Sequence, residues 1–400
     1  MQMIPSRRSF LRAAGAGLGL AAARPAWAGE GSFDVIVVGA GAIGATTAYF
    51  LRGEGLSVAL VDKGPAGREA SWASAGMIQP YGSKKSESWP ARAALLSREL
   101  YDDLEPRLFE ETGRRIGYGG EGGLVIAFED GEAESLQRMA KAQSGDDFPT
   151  RSLSREEARK REPGLPEQVV AAALLPAHRF LDARTYTSVV VEAARKKGVT
   201  VREGAAVADV LWEGDRVVGV KAGEDKLSAG LVVIAAGAWS GKIDKRLSLP
   251  VRPIHGQILS IEGPKGGLRH NLQRLGAGGY ATPRADGRVV VGATSEDFGY
   301  EKKVTPAGLA SLAGMVRDLV PHLAGHKVLD TWSGLRPGSP DGLPAIGRDP
   351  RVSSGFLWAT GHGGYGMMQC PATARVVTDF VMKREPRIPV ASVDPARLVR

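Results

Sequence analysis

The sequence has 400 residues, 43% hydrophobic and 24% charged, so it can bury a sizeable core, and we expect two domains. Its formal net charge is +8, but residues 1–28 hold four arginines and no acidic residue, which leaves +4 for the rest. That small excess excludes nucleic acid as an expected partner, and the single cysteine, Cys370, excludes an intrachain disulfide. Beyond the N-terminus no apolar run reaches the roughly 20 residues of a transmembrane span, so none is expected.

The first 28 residues have the layout of an export signal. Arg7 and Arg8 precede an apolar Ala/Gly/Leu run at 13–23 and the small-residue site AWA at 26–28. The paired arginines resemble a twin-arginine signal, which predicts cleavage after this site, recognition by the twin-arginine export machinery and a periplasmic or otherwise exported protein. The alternative is a basic first helix of the mature fold, which Pro25 and the Gly/Ala run disfavour.

A strand, helix, strand unit follows. The apolar run 34–38 predicts a buried strand, 42–52 a helix, and 58–61 a second strand parallel to the first. The intervening turn reads Gly-x-Gly-x-x-Gly, so its backbone N–H groups and the helix N-terminus can face a pyrophosphate. A carboxylate after the second strand can accept hydrogen bonds from ribose hydroxyls. The predicted nucleotide-binding residues are Gly39, Gly41, Ala42, Ile43, Gly44, Asp62 and Lys63.

Later elements indicate that the nucleotide domain is discontinuous. A helix at 185–197 and the apolar run 231–235 resemble the first unit, whereas polar helices and strand-like segments such as 124–128 and 288–292 lie between and after them. We expect an α/β protein, α+β overall, with a Rossmann-type FAD- or NAD-binding domain and a second domain built on a mainly antiparallel sheet. The expected ranges are 31–88, 178–250 and 328–400 for the first domain, and 89–177 and 251–327 for the second.

Four further motifs carry a family resemblance, because they occur in a fixed order behind the dinucleotide pattern. They are ASWASAGM at 70–77, VVIAAGAWS at 232–240, SGLRPGSPDG at 333–342 and ATGHGGYG at 359–366. In this order the chain resembles the glycine oxidase branch of the D-amino-acid oxidase family, over essentially all of residues 33–385. The resemblance implies that the nucleotide is FAD. It also implies an enzyme that oxidises the C–N bond of a small amino acid or secondary amine.

The resemblance also implies which residues surround the cofactor. The backbone of Val207 is expected at the adenine, although ordinary strand core is its alternative, and Gly237 is expected to end a buried strand near the nucleotide. The stretch 361–367 should enter the final helix, whose positive N-terminus would face flavin N1; His362 has holding the loop's shape as an alternative role. The implied contacts are Ala70, Ser71, Ala75, Gly76, Met77, Val207, Gly237, His362, Gly363, Gly364, Tyr365, Gly366 and Met367.

Two residues are the implied substrate contacts. Arg336 would grip a carboxylate through two parallel hydrogen bonds and so hold the α-carbon over flavin N5. Tyr280 would approach the substrate from the second domain. A surface salt bridge is the alternative for Arg336, and a core or rim position is the alternative for Tyr280. No acid/base pair is required, because a neutral amine can pass hydride to N5 when it is correctly placed.

Two departures from the family pattern bear on substrate and cofactor. Gly364 stands where the glycine oxidases carry an arginine, so substrate preference is open. Cys370 lies beyond the position of the ring, which favours a buried structural thiol over covalent flavin attachment. The histidines show no metal-ligand spacing, since Pro321 and Gly325 disfavour a ligand helix through His322 and the histidine four residues later, and no metal is expected.

Three functions stay open from the sequence. The first is an oxidase that hands electrons to oxygen and releases hydrogen peroxide. The second is a dehydrogenase of the same fold that uses a quinone or a periplasmic carrier as its respiratory electron acceptor. The third, from another class, is a flavin-binding sensor without turnover, which the presence of Arg336 and Tyr280 disfavours.

Overall fold

The computed structural model describes residues 32–80, 86–143, 149–264, 267–276 and 278–399, and the predicted export signal lies outside them. The described chain is organised around two large β-sheets. Its strands are β1 (Ser32–Val38), β2 (Val58–Val61), β3 (Met77–Ile78), β4 (Gly123–Ala127), β5 (Arg151–Ser154), β6 (Ala171–Leu175), β7 (Arg179–Phe180), β8 (Thr200–Arg202), β9 (Val207–Glu213), β10 (Arg216–Ala222), β11 (Asp225–Ile234), β12 (Arg252–Ile261), β13 (Asn271–Arg274), β14 (Tyr280–Pro283), β15 (Val289–Gly292), β16 (Val328–Gly338), β17 (Ala345–Gly347) and β18 (Phe356–Thr360).

Some of the helices begin at a capping side chain. Asp182 accepts a hydrogen bond from the Thr185 N–H, and Thr305 accepts one from the Gly308 N–H. None of the helices in the described ranges has the length and apolar character needed to cross a membrane. The α-helices are α1 (Ala42–Gly53), α2 (Ala70–Ala73), α3 (Trp89–Thr112), α4 (Asp130–Ala142), α5 (Arg155–Arg161), α6 (Ala183–Lys196), α7 (Pro306–Leu319) and α8 (Gly366–Val381).

The first sheet has the strand order β17-β18-β11-β1-β2-β8. The pairs from β18 to β8 are parallel, whereas β17 runs antiparallel to β18. The first half of β11 also pairs with the β9–β10 hairpin, which extends the sheet as an antiparallel meander. Because parallel strands are buried on both faces, these segments are continuous apolar runs.

Alternation along β1 divides the core of this unit into two layers. Val35 and Val37 pack into the cluster formed by α1, α3, α6 and α8. Ile36 and Val38 pack on the opposite face, with the meander and the segment before β12. Helices therefore cover one face of the sheet and the meander covers the other.

The second sheet has the order β16-β12-β15-β14-β13-β4-β6-β5 and is antiparallel except for the β13–β4 pair. Leu312, Val316 and Leu319 of α7 pack against one of its faces. Its other face meets the first unit, where Ala73 of α2 packs with Trp332 of β16. The expected α/β fold with a Rossmann-type sheet and a mainly antiparallel second sheet is confirmed.

Some details differ from the expected ones. β11 ends at Ile234, so Gly237 does not end the strand but begins a 3₁₀ helix, Gly237–Lys242. β16 pairs with β12 in the second sheet, although the expected range 328–400 assigned it to the nucleotide domain. Helix α3, which the range 89–177 assigned to the second domain, packs its Leu104 in the core of the first unit. Apolar periodicity marks an element but does not tell which sheet it joins.

Candidate active site

A cavity of about 560 Å³ lies between the two sheets. It is bordered by the carboxyl ends of β1, β2, β11 and β18 and by one face of β12, β14 and β16. Every predicted site residue lines it except Gly44: Gly39, Gly41, Ala42, Ile43, Asp62, Lys63, Ala70, Ser71, Ala75, Gly76, Met77, Val207, Gly237, Tyr280, Arg336, His362, Gly363, Gly364, Tyr365, Gly366 and Met367. The fold thus brings together residues that are up to 328 positions apart, from Gly39 to Met367.

The three glycines after β1 serve different purposes. A Cβ on Gly39, whose φ is +103°, would lie 2.4 Å from the carbonyl oxygen of Ala235. A Cβ on Gly44 would lie 1.9 Å from the carbonyl oxygen of Gly39, so Gly44 serves packing and not the cavity. Gly41 has an ordinary φ of −71°, and among described atoms its Cβ would approach only Ser71 Oγ, at 3.1 Å. A methyl group at Gly41 would crowd the hydroxyl that bonds the Ala42 N–H, and it would also take up space at the cavity lining, where a ligand can contact the backbone.

Side chains from neighbouring segments hold this loop. Asp62 Oδ2 accepts a 2.7 Å hydrogen bond from the Ala40 N–H, and Ser71 Oγ accepts a 2.9 Å bond from the Ala42 N–H. Burial raises the pKa of the Asp62 carboxyl, and the N–H groups of Gly64 and Ala40 oppose that rise. The N-cap residue Gly41 offers no side chain and the first turn of α1 carries no acidic residue, so the N–H groups beyond Ala42 keep the positive end of the helix directed at the cavity.

The segment from Ala70 to Met77 forms a closely packed wall. Gly76 has a φ of +62°, and a Cβ there would lie 2.1 Å from the carbonyl oxygen of Leu181. The carbonyl of Ala75 accepts a hydrogen bond from the buried Arg284 guanidinium. The packing of the protein behind this wall therefore requires glycine at position 76.

The β18–α8 connection supplies a second helix N-terminus. A 3₁₀ turn, Gly363–Tyr365, leads directly into α8, and no described side chain caps the helix. His362 is buried, and its Nε2 lies 2.9 Å from Thr373 Oγ1. Burial lowers the pKa of His362 to about 3, so the imidazole is neutral at neutral pH. Its contact with Thr373 fits the shape-holding role.

Arg336 projects from β16 into the cavity. Its Nη1 donates to the carbonyl oxygens of Thr294, at 3.0 Å, and His255, at 3.4 Å. The guanidinium occupies the space above Gly256, where a Cβ would lie 2.3 Å from Nη1. Among the described residues no carboxylate forms an ion pair with Arg336, so the surface salt bridge considered from the sequence is absent from this part of the chain. The guanidinium is oriented by backbone and its charge is left for a ligand.

Tyr280 lies on the same sheet face as Arg336. Gly292 is its cross-strand neighbour, and a Cβ there would lie 2.8 Å from the Tyr280 hydroxyl, so the glycine makes room for the ring. Burial raises the pKa of Tyr280 to about 12, and the positive charge of Arg336 opposes that rise. The hydroxyl is therefore protonated at neutral pH and can donate a hydrogen bond into the cavity.

The structure adds cavity residues that the sequence did not reveal. Gln79 donates a 2.8 Å hydrogen bond to Gln273, and both line the cavity. The β13–β14 register pairs Leu272 with Ala281, which places Gln273 opposite Tyr280 on the same face. The one sequence signal for these two residues is that Gln79 closely follows the ASWASAGM motif, which could have indicated that Gln79 lies near the cavity.

Gly364 leaves open space beside Arg336. A Cβ there would come no closer than 3.8 Å to Arg336 Cδ. Within the described ranges Arg336 is the one arginine that lines the cavity, whereas Lys63 is paired with Glu69 and lies 3.2 Å from the ring centroid of Trp239. No described arginine replaces the one that the family pattern places at 364.

Cys370 lies away from the cavity lining. It is fully buried, and its Sγ lies 3.3 Å from Thr46 Oγ1 and 3.7 Å from Tyr186 Oη. Burial raises its pKa to about 11. These features fit the expected structural thiol. The described residues contain no group of three or more histidine, cysteine, aspartate or glutamate side chains placed to hold a metal ion.

Comparison with known proteins identifies the family. A family model described as DAO, FAD dependent oxidoreductase, matches residues 34–380. A glycine oxidase of Pseudomonas aeruginosa is 35% identical over 366 residues, 90% of this chain and 98% of that protein. The crystal structure of glycine oxidase from Geobacillus kaustophilus matches with a TM-score of 0.85 at 31% identity, covering 92% of this chain and 100% of that one. Iminodiacetate oxidase from Chelativorans sp. BNC1 matches with a TM-score of 0.82 at 25% identity, covering 90% and 98%. The chain belongs to the DAO family of FAD dependent oxidoreductases.

Proposed function

We propose that this FAD-dependent oxidoreductase deaminates a small amino acid or secondary amine of the glycine, sarcosine or D-amino-acid type. The observation that carries the proposal is Arg336, whose guanidinium faces the cavity with no carboxylate partner among the described residues. A carboxylate-bearing substrate supplies the missing counter-charge. The relatives named glycine oxidase and iminodiacetate oxidase carry the names of substrates that contain both an amine and a carboxylate.

The cofactor-holding residues follow from the cavity. The β1–α1 loop, from Gly39 to Gly44, would take the pyrophosphate, and Asp62 would accept from ribose hydroxyls. Val207 would contact the adenine, and the wall from Ala70 to Met77 would lie along the ring. Gly41 supports this placement because it lines the cavity with its backbone and carries no side chain that would keep a ligand away.

The chain's own residues then bind and orient the substrate. Arg336 keeps Nη1 on two backbone carbonyls and presents its other N–H groups to the carboxylate. Tyr280, protonated, donates a second hydrogen bond. FAD, when bound there, would supply the two-electron oxidation as the hydride acceptor, and the imine product would hydrolyse in water. The N-terminus of α8 would stabilise negative charge on the ring.

The decisive experiment is anaerobic mixing of the holoenzyme with glycine, sarcosine, D-amino acids, proline analogues and amines that lack a carboxylate. Bleaching of the flavin absorbance by carboxylate-bearing amines and not by simple amines is the expected result. Bleaching by simple amines alone would remove Arg336 from the substrate site. A flavin that no compound bleaches would contradict the proposed reaction.

Oxygen is the proposed electron acceptor, and a quinone or periplasmic carrier is the alternative. The named oxidases among the relatives support oxygen. Peroxide formation and dye reduction should be measured with the same substrate. Peroxide formed in step with substrate consumption is expected, and dye turnover without peroxide would favour the dehydrogenase.

Export by the twin-arginine pathway is proposed from Arg7 and Arg8 and the apolar run behind them. Cell fractionation should find the cleaved protein in the periplasm. Replacing both arginines by lysine should retain it uncleaved in the cytoplasm. Unchanged export of that double variant would exclude this pathway.

A further inference from the structure

A proline interrupts the hydrogen bonding of α8 close to the cavity. Pro371 lies in the second turn of the helix, which spans Gly366–Val381. Proline has no N–H, so the carbonyl of Met367, four residues earlier, loses its helical donor. Met367 is buried and lines the cavity. In the first turn of α8, which lines the cavity, the carbonyl oxygen of Met367 therefore has no hydrogen-bond donor within the helix.

Helix α3 supplies the missing partner. The hydroxyl of Tyr101 donates a 2.6 Å hydrogen bond to the carbonyl oxygen of Met367. One turn earlier on the same face of α3, Ser97 Oγ accepts a 3.2 Å hydrogen bond from the N–H of Ala372. Both donor and acceptor side chains are fully buried. Two side chains of α3 thus bond the backbone of α8 on either side of Pro371.

The same side chain connects α8 to the nucleotide-binding helix. The ring of Tyr101 packs edge-on against that of Tyr186, with centroids 5.4 Å apart. The Tyr186 hydroxyl lies 2.8 Å from Thr46 Oγ1 on α1. Helices α1 and α8 both begin at the cavity, with Ala42 and Met367 in its lining. A buried polar cluster therefore fixes the relative position of the two helix N-termini.

We propose that Tyr101 is a positioning residue of the flavin site, which acts by replacing the backbone hydrogen bond that Pro371 removes. This inference rests on the proposed placement of the α8 N-terminus beside the flavin. A firmly held first turn keeps its partial positive charge at a fixed distance from the ring, where reduction adds negative charge. Loosening this turn destabilises the reduced cofactor more than the oxidised one.

The test is the midpoint potential of the Tyr101→Phe holoenzyme, measured by chemical reduction against a reference dye, together with its FAD dissociation constant. The expected result is a more negative potential and about fivefold weaker FAD binding, from one lost buried hydrogen bond. Tyr118→Phe is the matched control. The Tyr118 ring stacks on Tyr101, with the centroids 5.5 Å apart, but within the described residues its hydroxyl makes no hydrogen bond to α8. Its potential should equal that of the unmodified protein.

Pro371→Ala makes the test specific for the mechanism, because it restores an N–H four residues after Met367. In this background Tyr101→Phe should shift the potential less than it does with Pro371 present. An unchanged potential in Tyr101→Phe, or equal shifts in the two backgrounds, would overturn the inference. Ser97→Ala should shift the potential in the same direction. Since no amine is used, an error in the proposed substrate leaves these outcomes unaffected.

Discussion

Arg336 is oriented by carbonyl groups and by the absence of a side chain at Gly256. Arg336→Ala should raise KM for a carboxylate-bearing substrate about 100-fold, because about 3 kcal/mol of charge-assisted hydrogen bonding is lost. Arg336→Lys should be intermediate, since an ammonium keeps the charge but not the paired geometry. Steady-state kinetics with a carboxylate substrate measures both variants.

Arg348→Ala, which removes an exposed arginine of the neighbouring segment, serves as the control and should leave KM unchanged. Gly256→Ala keeps the charge of Arg336 but places a methyl group in the space that its guanidinium occupies, so this variant should also raise KM. An unaltered KM in Arg336→Ala would exclude this residue from substrate binding.

The site residues that sequence reasoning identified share local signals. Gly39 and Gly41 lie in a turn pattern, and Arg336 lies in a motif, so each can be identified without knowing its neighbours. Gln273 has no such signal, because it reaches the cavity only through the register of β13 on β14. Gly256 is missed for the same reason, since its role depends on the side chain of the adjacent strand.

At the scale of elements, the glycines of the β1–α1 loop have different roles: Gly39 and Gly44 allow close backbone packing, whereas Gly41 faces the cavity. Gly41→Ala should bind FAD at least about tenfold more weakly, because its Cβ would stand at the cavity lining and crowd Ser71 Oγ, 3.1 Å away. FAD titration and the absorbance ratio of flavin to protein measure this. Gly39→Ala should instead fail to fold, because its Cβ meets the backbone of Ala235.

Gly53→Ala is the control for this prediction, since Gly53 is exposed at the end of the same helix and a Cβ there meets nothing within 4 Å. It should retain FAD and gain roughly 0.5–1 kcal/mol of stability. Normal FAD affinity in Gly41→Ala would contradict the proposed approach of the cofactor to this loop.

The elements of the first unit were predictable because their signals are short-range. The apolar run of β1, the glycine turn and α1 follow one another without interruption from Ser32 to Gly53, and the register of β1 on β2 needs no distant information. The place of β16 was not predictable. Its sequence is compatible with either sheet, and it joins the second sheet because it pairs with β12, about 75 residues earlier.

At the scale of the whole molecule, two buried histidines make the free energy of unfolding depend on pH. His178 and His362 are 4% and 2% exposed, and burial lowers the pKa of each to about 3. In the unfolded chain a histidine titrates near 6.5, so between these values the unfolded state binds a proton that the folded state does not. The free energy of unfolding should therefore fall, as pH drops below about 6.5, by about 1.4 kcal/mol per pH unit for each histidine.

Urea unfolding of the holoprotein between pH 7 and pH 5 measures this slope. His178→Gln should flatten it by one proton. Hydrogen bonds from Arg384 and Arg397 hold the pKa values of Glu54 and Asp341 below their usual range, so those carboxylates lose stabilising charge only at lower pH. A slope that does not change in His178→Gln would show that this side chain is protonated in the folded protein.

The thiol of Cys370 is expected to be unreactive in the folded protein. It is the chain's one cysteine, it has no exposed surface, and its pKa near 11 leaves almost no thiolate at neutral pH. Thiolate is the form that alkylating reagents and peroxide attack. The native protein is thus a ready background for a single introduced cysteine, at which a spectroscopic label can be attached without competition.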